Sequence, residues 1–293
     1  MKVGIVGLGR MGAAMSQRLR EQGFELVGWD HDGAKTQALA AEGLRIAADA
    51  RDVAAQSDIV ISSITEDNGV RRIFTGTDGF LAGDVTSKLF IEMSTLQPMT
   101  ARDLAPLVEA KGARLIEAPV LGTLPHARAG TLLAMAGGRA EDIDRARPVL
   151  GKLARRIVYM GPHGSGYAMK LAANLGLGAY IQALAETLAL GVQQGLAIEQ
   201  MLDVLQEGPY ASGWLKSKID ILKGGKGEVS LDIRTLRKDI MSAVATGALC
   251  GVPMPLSAGT LASLSAAVAA DHGDGDLAEL PKFLREAMLQ NFK

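Results

Sequence analysis

Through the first half of the chain, short apolar runs alternate with segments whose apolar residues recur at helical spacing. The runs Lys2–Val6, Glu25–Trp29, Asp58–Ser62, Lys88–Glu92, Arg114–Glu117, Thr131–Ala136 and Arg156–Tyr159 are predicted strands, with helices such as Met11–Glu21 and Thr100–Lys111 between the earlier ones. Alternation of this kind points to a parallel sheet covered by helices on both faces. From about His163 the pattern changes. No strand-like run follows, and Ser165–Gly195, Ile198–Leu205, Leu236–Leu249 and Ser257–Ala269 read as helices. The expected fold is an α/β domain with a doubly wound sheet in residues 1–162 and an all-α C-terminal domain in 163–293, joined by a long interdomain helix.

Length agrees with that division, since 293 residues make two domains at roughly 100–200 residues each. Lys and Arg total 31 against 32 Asp and Glu, a net charge of −1, so the basic footprint of a nucleic-acid partner is missing. The 48% hydrophobic content excludes wholesale disorder. One cysteine, Cys250, makes neither an internal disulfide nor a cysteine-rich zinc site, and with His31, His126, His163 and His272 scattered, no metal is expected. Arg10 cuts the N-terminal apolar run far short of a signal sequence, which leads to the expectation of a soluble, cytoplasmic protein. The 22 residues Leu171–Val192 have the length of a membrane span, broken only by Asn174, Gln182 and Glu186. A mid-span Glu is costly in lipid, and the Gly and Ala content suits a helix buried in protein, so no membrane partner is expected.

Glycine is in surplus, 35 residues where average usage of about 7% gives roughly 20. Part of the surplus stands where the first predicted strand runs into Gly7-Leu8-Gly9-Arg10-Met11-Gly12 and then a helix. In a Gly-x-Gly-x-x-Gly turn the first glycine permits the tight bend, the second lets backbone amides approach a pyrophosphate, and the third allows close helix–strand contact. Asp30 closes the second strand 18 residues after Gly12, near the roughly twenty at which a carboxylate meets the cofactor's ribose. This is a Rossmann-type signature. A carboxylate there accepts the ribose hydroxyls of NAD and repels the 2′-phosphate of NADP, and no Arg accompanies His31 and Asp32, so NAD is favoured over NADP. The alternative use of Asp30 is to cap the helix starting near Gly33.

In the helical half, Lys170 and Asn174 lie four residues apart on one helix face, among Ala, Leu and Met. Such a lysine either snorkels to solvent or is held for proton exchange, its pKa lowered by desolvation from about 10.4 toward about 7–8.

Together with the glycine turn and the Lys170/Asn174 pair, Glu92-Met-Ser94-Thr95, Ala118-Pro119-Val120-Leu121-Gly122, Gly130-Thr131-Leu132, Gly137-Gly138 and Lys238-Asp239 occur in order along nearly the whole chain. The sequence thereby resembles the β-hydroxyacid dehydrogenase family. That resemblance implies hydride transfer between a nicotinamide cofactor and a small 3-hydroxy acid or semialdehyde, an anionic small molecule, in a homodimer or homotetramer. It implies that Lys170 is the general acid and base and that Asn174 orients the substrate. Ser94, Thr95, Leu121, Gly122, Thr123, Lys238 and Asp239 are then expected at the substrate. Gly7 to Gly12 (with Leu8, Arg10 and Met11), Asp30, His31, Ser63, Ile64, Thr65, Thr95 and Lys238 are expected at the cofactor.

Blander readings stand beside these. Ser94 and Thr95 could simply cap the helix beginning near Pro98, and Lys238-Asp239 could be a solvated charge pair. His126 and Arg128 could meet an anionic substrate or form an exposed loop pair. Where many members of the family carry Ser-Gly-Gly after Pro-Val, this chain has Leu121-Gly122-Thr123. Either Thr123 supplies the substitute hydroxyl, or the acid group is bound differently or is something other than a simple carboxylate. Two rival functions share part of the pattern. An imine reductase has this architecture but typically another residue, such as Asp or Tyr, at the lysine position. A non-catalytic dinucleotide sensor needs the glycine turn without the Lys170, Asn174 and Lys238 set.

Overall fold

The computed structural model describes residues 1–209 and 211–290, and the chain separates into two compact units, Met1–Leu171 and Ala172–Lys293. Residues 210 and 291–293, within the expected second domain, lie outside the described residues.

The first unit carries a nine-stranded sheet: β1 (Lys2–Val6), β2 (Glu25–Trp29), β3 (Arg45–Ile46), β4 (Ile59–Ser62), β5 (Leu89–Glu92), β6 (Arg114–Glu117), β7 (Val120–Leu121), β8 (Leu132–Gly137) and β9 (Ala154–Gly161). The helices between them are α1 (Arg10–Glu21), α2 (Gly33–Ala41), α3 (Ala50–Ala55), α4 (Asp67–Thr75), α5 (Pro98–Ala110), α6 (Leu124–Ala129) and α7 (Ala140–Leu153). Strand order is β3-β2-β1-β4-β5-β6-β8-β7, with β9 also paired to β8. From β3 to β6 every pairing is parallel, and the winding reverses between β1 and β4, where open α/β sheets bind ligands outside their strand ends.

The expected parallel sheet is thus present from β3 to β6, and at the other edge β8 runs antiparallel to both β6 and β7. A parallel return needs a crossover of about a dozen residues or more with a covering helix. Between β7 and β8 there is only the six-residue α6, so the chain doubles back. The 14-residue α7 then provides a full crossover, and β9 lies parallel to β8.

β4 and β5 are buried at every position, as strands covered on both faces must be. One face packs against Met15 and Leu19 of α1 and Ile143 and Leu150 of α7. The other packs against Val53 of α3, Phe74 of α4 and Leu104 of α5, with the rings of Phe74, Phe80 and Phe90 clustered at centroid distances of 4.9–5.3 Å.

The 29-residue α8 (Ser165–Gln193) contains the boundary between the units and is followed by α9 (Ile198–Glu207), α10 (Gly213–Leu222), α11 (Ile233–Leu249), α12 (Pro255–Ala269) and α13 (Leu280–Gln290). Ile181, Leu184 and Leu188 of α8 join Leu236, Ile240 and Leu264 in the core of the second unit. α8 is long and apolar enough to cross a membrane, yet 44% of its apolar window is already buried inside the fold. In the same unit the buried Lys218 ammonium meets Asp276 at 2.7 Å, and Asp276 also accepts the Ser230 and Ala278 N–H groups.

Candidate active site

β1 runs into Gly7, whose φ of +92° suits glycine, and a Cβ there would lie 2.2 Å from the Ser63 carbonyl oxygen. At Gly12 a Cβ would lie 1.9 Å from the Gly7 oxygen, so α1 starts tight against the turn. Gly9 is the opposite case, with nothing within 4 Å of the position a Cβ would take. That open cradle lies before the first turn of α1, which has neither a side-chain cap nor an acidic residue. A helix start with no side-chain cap, its positive end and the open space at Gly9 fit the phosphates of a dinucleotide.

Asp30 is 7% exposed, and its Oδ2 accepts the Leu8 N–H at 2.7 Å while Oδ1 accepts the Asp32 N–H at 2.9 Å. His31 Nδ1 stands 3.1 Å from Oδ1. The helix cap of α2 is Asp32, which accepts the Ala34 N–H, so the alternative use of Asp30 as that cap is corrected. Asp30 instead ties the end of β2 to the glycine turn.

Ser63, Ile64 and Thr65 follow β4, and Ser94 and Thr95 follow β5. The two loops are linked by the Ile64 N–H, which donates to the Ser94 hydroxyl at 2.7 Å, while that hydroxyl donates to Glu92. The cap of α5 is Gln97, whose N–H donates to Asp67 at 3.0 Å, so the capping reading of Ser94 and Thr95 is corrected as well. The structure thus brings Gly7–Gly12, Asp30, Ser63–Thr65 and Ser94–Thr95 together at the carboxyl ends of neighbouring parallel strands.

Leu121 ends β7 at the sheet edge, and Gly122 and Thr123 join it to α6, with Leu121 and Gly122 exposed. The Thr123 N–H donates to His126 Nδ1 at 3.2 Å and its Oγ1 lies 2.9 Å from the same nitrogen, so His126 serves the start of α6. α6 packs against α1, and Arg128 is exposed upon it.

Sequence reasoning missed two carboxylates. Glu92 and Glu117, at the ends of β5 and β6, are 1% and 0% exposed. Glu92 accepts from the Ser94 N–H at 3.0 Å and from the hydroxyls of Ser94, Ser62 and Tyr167. Burial pushes its carboxyl up to about 7, against the downward pull of those donors. The Tyr167 phenol is pushed well above its ordinary range, first by burial and then by the neighbouring Glu92 charge. Glu117 Oε1 accepts the N–H groups of Gly164 and Gly166 at 2.6 and 3.2 Å, and Oε2 faces His163 Nδ1 at 3.3 Å. Both groups hold the start of α8, with Lys170 half-buried three residues beyond Tyr167. The available signal was that two apolar strands both end in Ile-Glu, a polar residue where burial is greatest.

In the second unit Asn174 is 3% exposed, and its Nδ2 donates to Asp239 Oδ2 at 2.6 Å. Lys238 Nζ meets Asp239 Oδ1 at 2.8 Å. Asp239, expected at the substrate, is 2% exposed with one oxygen on each of these side chains, so it lies beneath them as their common support, and the solvated-pair reading of Lys238-Asp239 is corrected. Among the described residues no three His, Cys, Asp or Glu side chains gather into a metal-holding cluster.

Comparisons with known proteins agree along the whole length. Residues 2–161 match the family described as "NAD binding domain of 6-phosphogluconate dehydrogenase", and residues 164–284 match "NAD-binding of NADP-dependent 3-hydroxyisobutyrate dehydrogenase". A 3-hydroxyisobutyrate dehydrogenase of Pseudomonas aeruginosa is 32% identical over 97% of this chain and 98% of its own. An NAD-dependent L-serine dehydrogenase of the same organism is 34% identical over 70% of this chain and 69% of its own. The structure of the Mycobacterium tuberculosis 3-hydroxyisobutyrate dehydrogenase with L-serine superimposes with a TM-score of 0.84 at 30% identity, covering 97% of this chain and 99% of that one. With its glycine turn, its parallel-sheet first unit and its helical second unit all matched, the chain belongs to the β-hydroxyacid dehydrogenase family and is an NAD-binding dehydrogenase of small hydroxy acids.

Proposed function

We propose that the protein interconverts a small anionic 3-hydroxy acid and its semialdehyde, with NAD(H) as cofactor and Lys170 as the proton-exchanging group. The observation that carries this reading is the anchoring of the start of α8 on Glu92 and Glu117, which puts Lys170 within one helical turn of a hydroxyl bonded to the end of β5. β5 is also the strand that leads into Ser94 and Thr95.

Bound NAD(H) supplies or accepts the hydride. The N–H groups at Gly9 and the start of α1 hold its phosphates, with Leu8, Arg10 and Met11 lining the same turn. Asp30, flanked by His31, takes the ribose hydroxyls, while Ser63, Ile64, Thr65, Thr95 and Lys238 complete the cofactor contacts. In reduction the Lys170 Nζ donates a proton to the carbonyl oxygen, and in oxidation it withdraws the hydroxyl proton. Asn174, its amide held by Asp239, orients the substrate, and Ser94, Leu121, Gly122 and Thr123 surround it. No residue in this scheme ligates a metal. L-Serine and 3-hydroxyisobutyrate, named for the relatives, are both 3-hydroxy acids, which supports this substrate class. The reading includes a homodimer or homotetramer, supported by the exposed Leu190, Val204, Leu249 and Leu256 of the second unit, and a cytoplasmic location.

The test is a spectrophotometric screen of 3-hydroxyisobutyrate, 3-hydroxypropionate, L-serine, glycerate, succinic semialdehyde and sulfonated analogues, each with NAD(H) and NADP(H). Turnover of at least one of them with a preference for NAD(H) is expected. NADH binding without turnover across the panel overturns the substrate class and favours a sensor. A preference for NADPH overturns the reading of Asp30.

A further inference from the structure

Glu92 and Glu117 have no part in the proton exchange above, yet they are the two most deeply buried carboxylates at the ligand-facing ends of the strands. We propose that they are positioning residues, a two-point clamp that sets the height and rotation of the first turn of α8 and thereby places Lys170. The inference rests on the reading of Lys170 as the proton-exchanging group.

The clamp has two different grips. Glu117 takes the backbone: its Oε1 accepts N–H groups of Gly164 and Gly166 that the helix itself leaves without partners. A negative charge at that end also complements the helix dipole. Glu92 takes a side chain, accepting the Tyr167 hydroxyl from the next strand over. A helix held at its end by backbone amides can still rotate about its axis, and a phenol fixed on an adjacent strand removes that freedom. Tyr167 is 1% exposed, so its ring has no alternative position in solvent. Lys170 follows three residues later, on the turn directly above.

Close approach supplies independent support. A Cβ at Gly166 would lie 2.5 Å from the Met135 carbonyl oxygen, and one at Gly137 would lie 2.0 Å from Glu117 Oε1. α8 therefore reaches β8 only because both positions are bare, and the carboxylate occupies the space that Gly137 leaves. Backbone contacts of this kind define position to a fraction of an ångström, the scale on which proton exchange is sensitive: a displacement of about 1 Å can cost a factor of about 100.

The test is a double-mutant cycle on the full-length enzyme. Glu117→Ala in the wild-type background is expected to lower kcat by roughly 10- to 100-fold, with the Kd of NADH changed by less than about threefold. In the Lys170→Ala background the same substitution is expected to change the residual rate by less than about twofold, because the lysine is gone and Asn174, the other residue of α8 assigned to the substrate, keeps its own anchor on Asp239. Glu117→Gln keeps an acceptor for both glycine N–H groups, and kcat is expected to return to within about threefold of wild type. Should Glu117→Ala fail to fold, Tyr167→Phe, which keeps the ring and removes only the hydroxyl, takes its place in the cycle. An equal loss in both backgrounds, or an unchanged kcat in the wild-type background, overturns the clamp while leaving Lys170 in its role. Near-normal turnover by Lys170→Ala alone overturns that role and the clamp with it.

Discussion

The carboxylates of this protein divide by what they hold. Asp30 accepts from the Leu8 backbone and, in the proposed complex, from the cofactor ribose, two duties that substitution can separate. Asp30→Ala removes both. Asp30→Asn keeps one acceptor for the Leu8 N–H but repels no phosphate and presents a weaker partner to the ribose. NADH affinity, measured by titration of cofactor fluorescence, is expected to fall roughly 10- to 100-fold in Asp30→Ala, the worth of a hydrogen bond to a charged group. Asp30→Asn is expected to fall in between and to lose the discrimination against NADP. Equal NADH affinity in all three proteins contradicts a ribose contact. Glu92 makes a prediction about pH. Its carboxyl titrates at about 7 in the folded chain against an ordinary 4.5, so the folded state binds this proton more tightly than the unfolded state does. On this group's account stability is greatest below about pH 4.5, declines as pH rises to about 7, and is constant beyond. Glu92→Gln imitates the protonated form and lacks that decline. The difference in urea midpoint between variant and wild type is expected to move in favour of the variant across this window. A difference independent of pH contradicts the raised value.

At the scale of elements, the features that could be read in the sequence were those whose cause is local. The glycine turn needs only its own spacing, and β1, β2 and β6 form with the expected bounds because their apolar runs are short and sharply ended. Two-residue β3 and β7 were not legible, since each exists only through its pairing with a neighbour. The direction of β8 depended on the shortness of α6, a length that a stretch containing Pro125 and Gly130 does not disclose. Around the proposed site, the bonds made by Glu92, Glu117 and Asp239 could not be read from the sequence, because each is defined by donors far away along the chain. α10 was missed in the same way. It is pinned by the buried Lys218–Asp276 pair, whose partners are 58 residues apart. Removing one member leaves the other charge buried, so Asp276→Ala is expected to cost about 3–5 kcal/mol in chemical denaturation. A loss below about 1 kcal/mol contradicts the account of this pair.

For the molecule as a whole, the division of labour follows its two units. The first gathers the glycine turn and the loops after β2, β4 and β5 at the strand ends and carries Lys170, and the second carries Asn174, Lys238 and their shared support Asp239. Near-neutral charge and the family relationship over the full length agree with a small-molecule enzyme. The claim on which the mechanism turns is that the Lys170 amine exchanges the substrate proton. The most direct measurement compares kcat for Lys170→Ala with wild type on the best substrate of the screen, alongside NADH binding to both proteins. A fall of about two to four orders of magnitude, the usual share of acid–base catalysis, with unchanged NADH affinity is the expected result. Turnover within a few-fold of wild type contradicts it.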